Sequence, residues 1–328
     1  MKHRPLYRNS QHGDRLGITI PEVLVIIAII GLLLLLLLPA VQQTRESARR
    51  VGCLSNLRQL GIAVQNYEST HKVFPGCFTG WTEAVLPYME HKQLFNRIVD
   101  FKEKRITFDE LSSAAVPVYF CPSDPVAVEQ KGWAPSYFMN DGYWPFENRY
   151  NGFLRVFEGV SLEHDWRKCR QTRPADITDG LSNTAAIAEK LVVPPSPYFQ
   201  QAGACSNNPQ VWIRIIRETN MVRDLDEFAR RCAEEPITPA RSYFAEASDL
   251  AFFGYHEYTH EVPPNRSSCT NGFHNGPAYG GATTATSLHP GGINLLFADG
   301  AVRFMSDSID THVWRALGSR NGREVVNF

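Results

Sequence analysis

An unbroken apolar run near the start of the chain constrains it more than any other feature. Residues 18–38 are 21 positions with one charged side chain, and 32–38 are seven consecutive leucines. A helix of this length extends roughly 30 Å, the thickness of the hydrocarbon core of a bilayer. An ordinary secretory signal has a shorter apolar region, of about 7–15 residues, followed by a small-x-small cleavage site. Leu38 stands where a small residue would be needed, so the run predicts one transmembrane helix.

The charges that flank the run favour one orientation without fixing it. Residues 1–17 carry four basic side chains against Asp14. Because basic residues accumulate on the cytoplasmic side of membrane spans, this segment is predicted to be a cytoplasmic leader. Residues 45–50 carry three arginines against Glu46, so charge alone leaves the orientation open.

Two residues inside the run indicate where the helix begins. Pro21 lacks a backbone N–H and is tolerated only in a first helical turn. Glu22 is a carboxylate in a lipid-facing segment, which costs roughly 2–3 kcal/mol or more and by default indicates function. Both are explained if the helix begins near Ile18. Thr19 and Glu22 also fit a capping box, which is the alternative, local role of this carboxylate.

The sequence from Gly17 to Glu22, G-I-T-I-P-E, resembles the cleavage site of type IV prepilins. That family has a basic leader ending in Gly, a hydrophobic residue (usually Phe), Thr, two apolar residues and Glu. The resemblance implies that a prepilin peptidase cuts between Gly17 and Ile18 and methylates the new amine. It also implies that Glu22 pairs with the N-terminal amine of a neighbouring pilin-like subunit, since a carboxylate in lipid needs a cation. Ile18 and Pro21 depart from the usual Phe and aliphatic residue.

An apolar stripe predicts that the helix of the apolar run continues over residues 39–72. Its members recur at three- and four-residue steps, the spacing of one helix face. Pro75 and Gly76 then predict the end of the helix. A separate surface helix after the anchor is the alternative. The stripe consists of Val51, Leu54, Leu57, Leu60, Gly61, Val64 and Tyr67.

Residues 73–328 are predicted to form an exported domain of mixed α and β structure. Short apolar runs alternate there with Pro and Gly, and 117–120 is predicted as a strand and 262–282 as a loop. Asp299-Gly300 between two β-type runs predicts a hairpin, and 310–317 predicts a helix closed by Gly318. With the sheet that the pilin resemblance implies, the expected fold class is α+β. We expect a long N-terminal membrane-spanning helix packed on an antiparallel β-sheet, with an additional β-rich C-terminal region.

A second resemblance covers nearly the whole chain, from about residue 15 to the end. His289, followed after nine residues by Asp299-Gly300, resembles the H-x9-D-G signature of a bacterial family called domain of unknown function 1559. Members usually carry the prepilin-type start, and no biochemical role is established for them. The resemblance therefore implies a location, with one pass through the inner membrane and the C-terminal domain outside the cytoplasm. Further matching segments are Cys53-x-x-Asn56, Cys121-Pro-Ser-Asp124, the I-T-D-G-x-S-N-T stretch at 177–184, Pro263-Pro-Asn265 and Trp314-Arg-Ala-Leu317.

Composition and cysteine usage bound the remaining possibilities. The formal net charge is −1, so charge gives no argument for a nucleic-acid partner. All seven cysteines follow the apolar run, and none forms a C-x-x-C pair. An exported location permits up to three disulfides with one thiol remaining, and buried free cysteines are the alternative.

Two histidine patterns raise the question of metal binding. Residues 256–260 read H-E-x-x-H, the pattern of zinc hydrolases, which requires a helix. Gly254 before it and Pro263 after it leave little room for one. His274 and His289 could join these histidines in a structural metal site, although the spacing does not require it. We expect His289 and Asp299 to be hairpin residues, the aspartate making the turn and the histidine orienting the preceding loop.

The sequence favours a pilin-like or pseudopilin-like structural protein, anchored in the membrane, with no catalytic residue, cofactor or metal. No nucleophile elbow, phosphate-binding glycine loop or dinucleotide fingerprint occurs in the sequence. The alternative is a membrane-tethered module that captures a ligand and uses the prepilin segment for export only. Aromatic residues scattered through 133–166 could line such a groove, or pack in the core. A zinc-dependent hydrolase is the third possibility.

Overall fold

The computed structural model describes most of the chain and divides it into two compact units, Met1–Ser47 and Ala48–Phe328. The described residues are 20–76, 80–107, 111, 116–129, 135–143, 151–154, 156–157, 169–192, 213–216, 222, 224–236, 256–271 and 281–324.

The first helix, α1, spans Ile20–His71, a length of 52 residues. Pro21 lies in its first turn, where the missing N–H costs nothing. The described residues from 20 to 45 are all exposed, including the seven leucines. The helix is long and apolar enough to cross a membrane, so it is a candidate single membrane span. It ends where Lys72 adopts a left-handed conformation, φ 62°, ahead of Pro75 as predicted.

The part of α1 that belongs to the second unit buries one face. Leu57, Leu60 and Val64 are buried there, as the predicted stripe requires. Val51 differs from the prediction and is exposed, because the buried face is rotated toward Cys53 and Ala63. A side-chain carbon placed on Gly61 would lie 2.8 Å from Leu296 Cδ1. The absence of a side chain at this position therefore allows the helix to lie close against the sheet.

The main sheet of the second unit consists of the strands β1 (Tyr137–Asn140), β4 (Ala185–Glu189), β6 (Glu257–Tyr258), β9 (Gly292–Phe297) and β10 (Val302–Ser306). The five strands lie in the order β10-β9-β4-β1-β6. Three neighbouring pairs are antiparallel, and β1 and β6 are parallel. The sheet is therefore mixed where an antiparallel sheet was expected, while the α+β class is confirmed.

Two smaller sheets complete the β structure. β2 (Val156–Phe157) pairs with β3 (Cys169–Arg170). β5 (Ile213–Ile216) is parallel to β7 (Ser268–Asn271), which pairs antiparallel with β8 (Gly281–Ala282). The prediction of a loop over 262–282 is therefore wrong where β7 and β8 lie. A disulfide from Cys232 to Cys269 joins β7 to a helix and supplies a restraint that local pattern does not reveal.

The helices after α1 are short. The residues 117–119, predicted as the start of a strand, form a 3-10 turn because Pro117 fixes the φ of its first residue. Two further 3-10 turns span Leu86–Met89 and Pro174–Asp176. The helices are α2 (Trp81–Ala84), α3 (Lys92–Lys102), α4 (Pro125–Glu129), α5 (Leu225–Glu234) and α6 (Thr311–Gly318).

The C-terminal hairpin and helix form where the sequence predicts them, but Gly318 does not close the helix as expected, because it is the last helical residue and Ser319 is the C-cap. Asp299 Oδ1 accepts a hydrogen bond from Ala301 N at 2.9 Å, and Gly300 has a φ of 89°. This is a three-residue hairpin loop whose left-handed position requires glycine. Asp310 caps α6 by accepting from His312 N and Val313 N.

We predict that Leu60→Ala destabilises the domain far more than Ile62→Ala, although the two residues are neighbours on α1. Leu60 is fully buried in the core that joins α1 to the sheet, and Ile62 is exposed. Truncating a buried leucine costs about 2–5 kcal/mol, while exposed positions stay within about 0.5 kcal/mol. Urea unfolding of the purified chain in detergent measures both. Equal midpoints for the two variants would contradict this packing.

Candidate functional site

The residues predicted to act in processing and assembly lie at the start of α1. Glu22 is in the first helical turn and is exposed. A carboxylate is favourable there because the helix N-terminus carries partial positive charge. Gly17 and Ile18 lie outside the described residues, as does Thr19, so the cleavage site and the capping-box alternative stay predictions.

A buried cluster in the second unit unites three of the segments that carry the family resemblance. Cys53, Cys121, Glu189 and His289 place one ligand-type atom each within 4.8 Å of one another. Cys53 and Cys121 are joined by a disulfide. All four residues are buried. The cluster therefore holds two sulfurs, an imidazole and a carboxylate in one water-excluded place.

Helix α1 and the turn after residue 119 position the two cysteines. Asn56, one helical turn after Cys53, donates from Nδ2 to the Phe120 carbonyl at 2.9 Å. Tyr137 Oη donates to the Cys53 carbonyl at 3.3 Å. The spacing Cys-x-x-Asn thus puts the sulfur and the amide on one face of α1, where both hold the residues at 120–121.

Glu189 and His289 form the polar half of the cluster. His289 Nε2 lies 3.2 Å from Glu189 Oε1 and 4.0 Å from Cys121 Sγ. Asn294 donates to the same carboxylate twice, from its backbone N to Oε2 and from its side chain to Oε1, each at 2.8 Å. The carboxylate is therefore held in one orientation by N–H donors, which offset the cost of burying it.

Asp124, at the end of the Cys-Pro-Ser-Asp segment, anchors the turn that carries Cys121. Its carboxylate accepts from Ser136 Oγ at 3.1 Å and from Val192 N at 2.9 Å. Burial raises the pKa of Asp124 to about 6, although the hydrogen bonds from Val192, Ala127 and Ser136 act in the opposite direction.

Other segments of the resemblance act as scaffold. Asn265 adopts a left-handed conformation, φ 60°, and its Oδ1 accepts from Ser287 N at 2.8 Å, two residues before His289. Asp179 accepts from Gly322 N at 2.7 Å and Arg323 N at 2.8 Å, which fastens the segment after α6. Arg315 donates to the carbonyls of Leu225 and Glu261. These side chains form hydrogen bonds with backbone groups that lie mostly outside regular helices and strands, and so hold the loops in place.

The two histidines of the H-E-x-x-H pattern flank the short strand β6 (Glu257–Tyr258), so they lack the helix that the zinc-hydrolase pattern requires. An extended chain separates residues 256 and 260 by about 13 Å, against about 6 Å on a helix. The ring of His256 packs against Phe138, and the ring of His260 stacks on Trp314 at 3.9 Å. Both ring nitrogens of His260 are engaged, by the Trp314 carbonyl at 2.7 Å and by Tyr258 Oη at 3.0 Å.

The predicted roles of the signature residues are only partly correct. Asp299 and Gly300 make the hairpin turn, as expected. His289 does not simply orient a loop, because it reaches Glu189 and Cys121. Glu189 was missed, although a glutamate ending the apolar strand A-A-I-A-E was a signal. His274 and Cys205 lie outside the described residues. Of the described aromatic residues in 133–166, Tyr137, Phe138 and Phe153 are core residues.

Together these features define a class: an α+β domain preceded by a candidate membrane span. A family model described as a protein of unknown function (DUF1559), with the short name SBP_bac_10, matches residues 42–312. The chain belongs to this family. No curated protein and no solved structure gives a significant match. Family membership and the apolar helix fit a membrane-anchored extracytoplasmic protein.

We predict that His260 makes the domain lose stability in acid. Burial lowers the pKa of His260 from 6.5 to about 3, against the opposing hydrogen bond to Trp314. The unfolded imidazole therefore binds a proton that the buried ring does not bind between these values, so the contribution of His260 to the free energy of unfolding falls as the pH drops below about 6.5. His260→Asn keeps a donor for the Trp314 carbonyl but does not titrate. Its free energy of unfolding, measured with urea, should be lower at pH 7. Between pH 6.5 and 4 the slope of this free energy against pH should differ from that of the wild-type protein by up to about 1.4 kcal/mol per pH unit, in the direction of a smaller loss in acid.

The matched control for this prediction is His312→Asn, since His312 is exposed. This variant should keep the slope of the wild-type protein. Identical slopes for His260→Asn and the wild-type protein would contradict a neutral, buried His260.

Proposed function

We propose that this protein is a pilin-like or pseudopilin-like structural subunit. A prepilin peptidase cuts it between Gly17 and Ile18 and methylates the new amine. Residues 18–38 then hold it in the cytoplasmic membrane, with the domain outside the cytoplasm. Its assembly partners are other pilin-like subunits, which it meets through the apolar part of α1.

The observation that carries this proposal is the different environment of the two parts of α1. Residues 20–45 are exposed although most of them are apolar, while Cys53, Leu57 and Leu60 belong to the core of the second unit. A helix that is apolar all round requires lipid or other helices around it. The first part of α1 thus provides a surface for the membrane and for other subunits, and the second part supports the folded domain.

The position of Glu22 supports an assembly role. A cut after Gly17 makes Ile18 the first residue and Glu22 the fifth, one helical turn from the new amine. A carboxylate and an ammonium group each pay a large cost in hydrocarbon, and pairing them between subunits reduces it. This pairing gives adjacent helices a defined stagger along the membrane normal.

Mass spectrometry of the N-terminus of the chain, isolated from native membranes, tests processing. We expect a mature chain that begins at N-methylated Ile18. An intact Met1 would contradict the proposal and leave a plain signal-anchor protein.

Variants at Glu22 and Thr19 separate assembly from helix capping. Glu22→Gln keeps the size of the side chain and removes its charge, so subunit contacts should be lost while the cut at Gly17 is retained. Thr19→Ala removes the capping partner and keeps the carboxylate, so contacts should persist. A photocrosslinking residue at Ile27 detects these contacts in membranes. Loss of crosslinks in Thr19→Ala with retention in Glu22→Gln would show that capping is the role of this site.

A further inference from the structure

The cluster of Cys53, Cys121, Glu189 and His289 has a composition that a disulfide alone does not explain. A buried disulfide needs no neighbouring carboxylate or imidazole. Here Glu189 and His289 direct their polar atoms toward the same point as the two sulfurs, within 4.8 Å. Burying these two polar side chains has a cost that a purely structural cross-link would avoid.

We propose that reduction of the Cys53–Cys121 disulfide converts this cluster into a four-ligand site for a divalent ion of the zinc class. The ligands are the two thiolates, His289 Nε2 and Glu189 Oε1. The proposal is independent of pilin-type processing, because all four ligands belong to the second unit.

The ligand set fits zinc in number and kind. Zinc takes four ligands in a tetrahedron, at about 2.3 Å for sulfur, 2.0–2.1 Å for imidazole nitrogen and 2.0–2.2 Å for carboxylate oxygen. Nitrogen and oxygen ligands of one such ion are then roughly 3.3 Å apart, close to the 3.2 Å between His289 Nε2 and Glu189 Oε1. Sulfur and nitrogen ligands are roughly 3.5 Å apart, against 4.0 Å from Cys121 Sγ to His289 Nε2. Thiolates select zinc over magnesium or calcium.

The surroundings of Glu189 resemble the support that metal ligands receive in proteins. Asn294 fixes both carboxylate oxygens, and outer hydrogen bonds of this kind orient metal ligands. Once His289 Nε2 binds metal instead of donating to Glu189, that oxygen gains a lone pair for the ion. The proton of the neutral ring then resides on Nδ1.

The interconversion balances with a dithiol as reductant. The dithiol gives two electrons and two protons to the Cys53–Cys121 bond and becomes a disulfide itself, leaving two thiols. Metal binding releases both thiol protons to solvent. The disulfide joins α1 to the turn at Cys121, and the metal would join both of these to Glu189 and His289 as well. Cys53 lies on α1 and the other three ligands lie on other parts of the second unit, so either state fastens α1.

Cobalt binding to the full chain in detergent tests the proposal, because tetrahedral cobalt bound to thiolates has visible bands and a thiolate-to-metal charge-transfer band. The oxidised chain should show neither. After anaerobic reduction with a phosphine, the wild-type chain should bind one more equivalent of cobalt than the double variant Cys53→Ser/Cys121→Ser. Added zinc should displace this cobalt. The other five cysteines are present in both chains, so cobalt that they bind cancels in the difference.

Two further variants, which keep both cysteines, test the ligand His289 and the support that Asn294 gives to Glu189. Asn294→Ala should weaken zinc binding about 10–100-fold, the usual effect of losing outer support, and His289→Gln should weaken it more. The matched control His312→Gln, at an exposed site, should bind like the wild-type protein. Each variant is checked for folding in its oxidised state, where the disulfide holds α1. Equal cobalt binding by reduced wild-type protein and the double serine variant, or wild-type affinity in His289→Gln, would overturn the proposal.

Discussion

The packing of one face of α1 into the domain organises the rest of the second unit. Leu57, Leu60 and Val64 share a core with strands β1, β4 and β9, and Gln65 donates to the Ala298 carbonyl of the hairpin at 2.7 Å. The disulfide from Cys53 to Cys121 fixes this face covalently. A cross-link that closes a loop of this length removes conformational entropy from the unfolded chain, roughly 4 kcal/mol in the chain-entropy model. The domain therefore depends on the helix that also carries the candidate membrane span.

The segments that define the family resemblance acquire physical roles from this arrangement. Cys53 and Asn56 hold the turn at 120–121, and Asp124 anchors the same turn from its other end. Asn265 holds the chain before His289. His289 and Glu189 then meet the disulfide from the side of the sheet. Residues far apart in sequence thus converge on the contact between α1 and the sheet, whereas Asp299 and Gly300 serve the local needs of a turn.

The sequence predicted well what depends on neighbouring residues. The apolar run, the end of α1, the Asp-Gly hairpin and the presence of the last helix follow from periodicity and turn chemistry, which are local rules. What depends on tertiary contacts was missed. β7 lies in a segment rich in polar residues and is held by its pairing with β5 and by Cys269. The pairing of β1 with β6 and the contact between Glu189 and His289 each join residues about 100 positions apart. The spacing of residues in the sequence gives no signal of such contacts.

Peptide mapping under non-reducing conditions tests most directly whether α1 is fastened to the domain at this site. Trypsin releases Cys53 in the peptide 51–58 and Cys121 in the peptide 106–131, and neither contains a second cysteine. In chain isolated from membranes with its free thiols blocked, we expect one disulfide-linked species of these two peptides that separates on reduction. A species that joins either peptide to a different cysteine would contradict it.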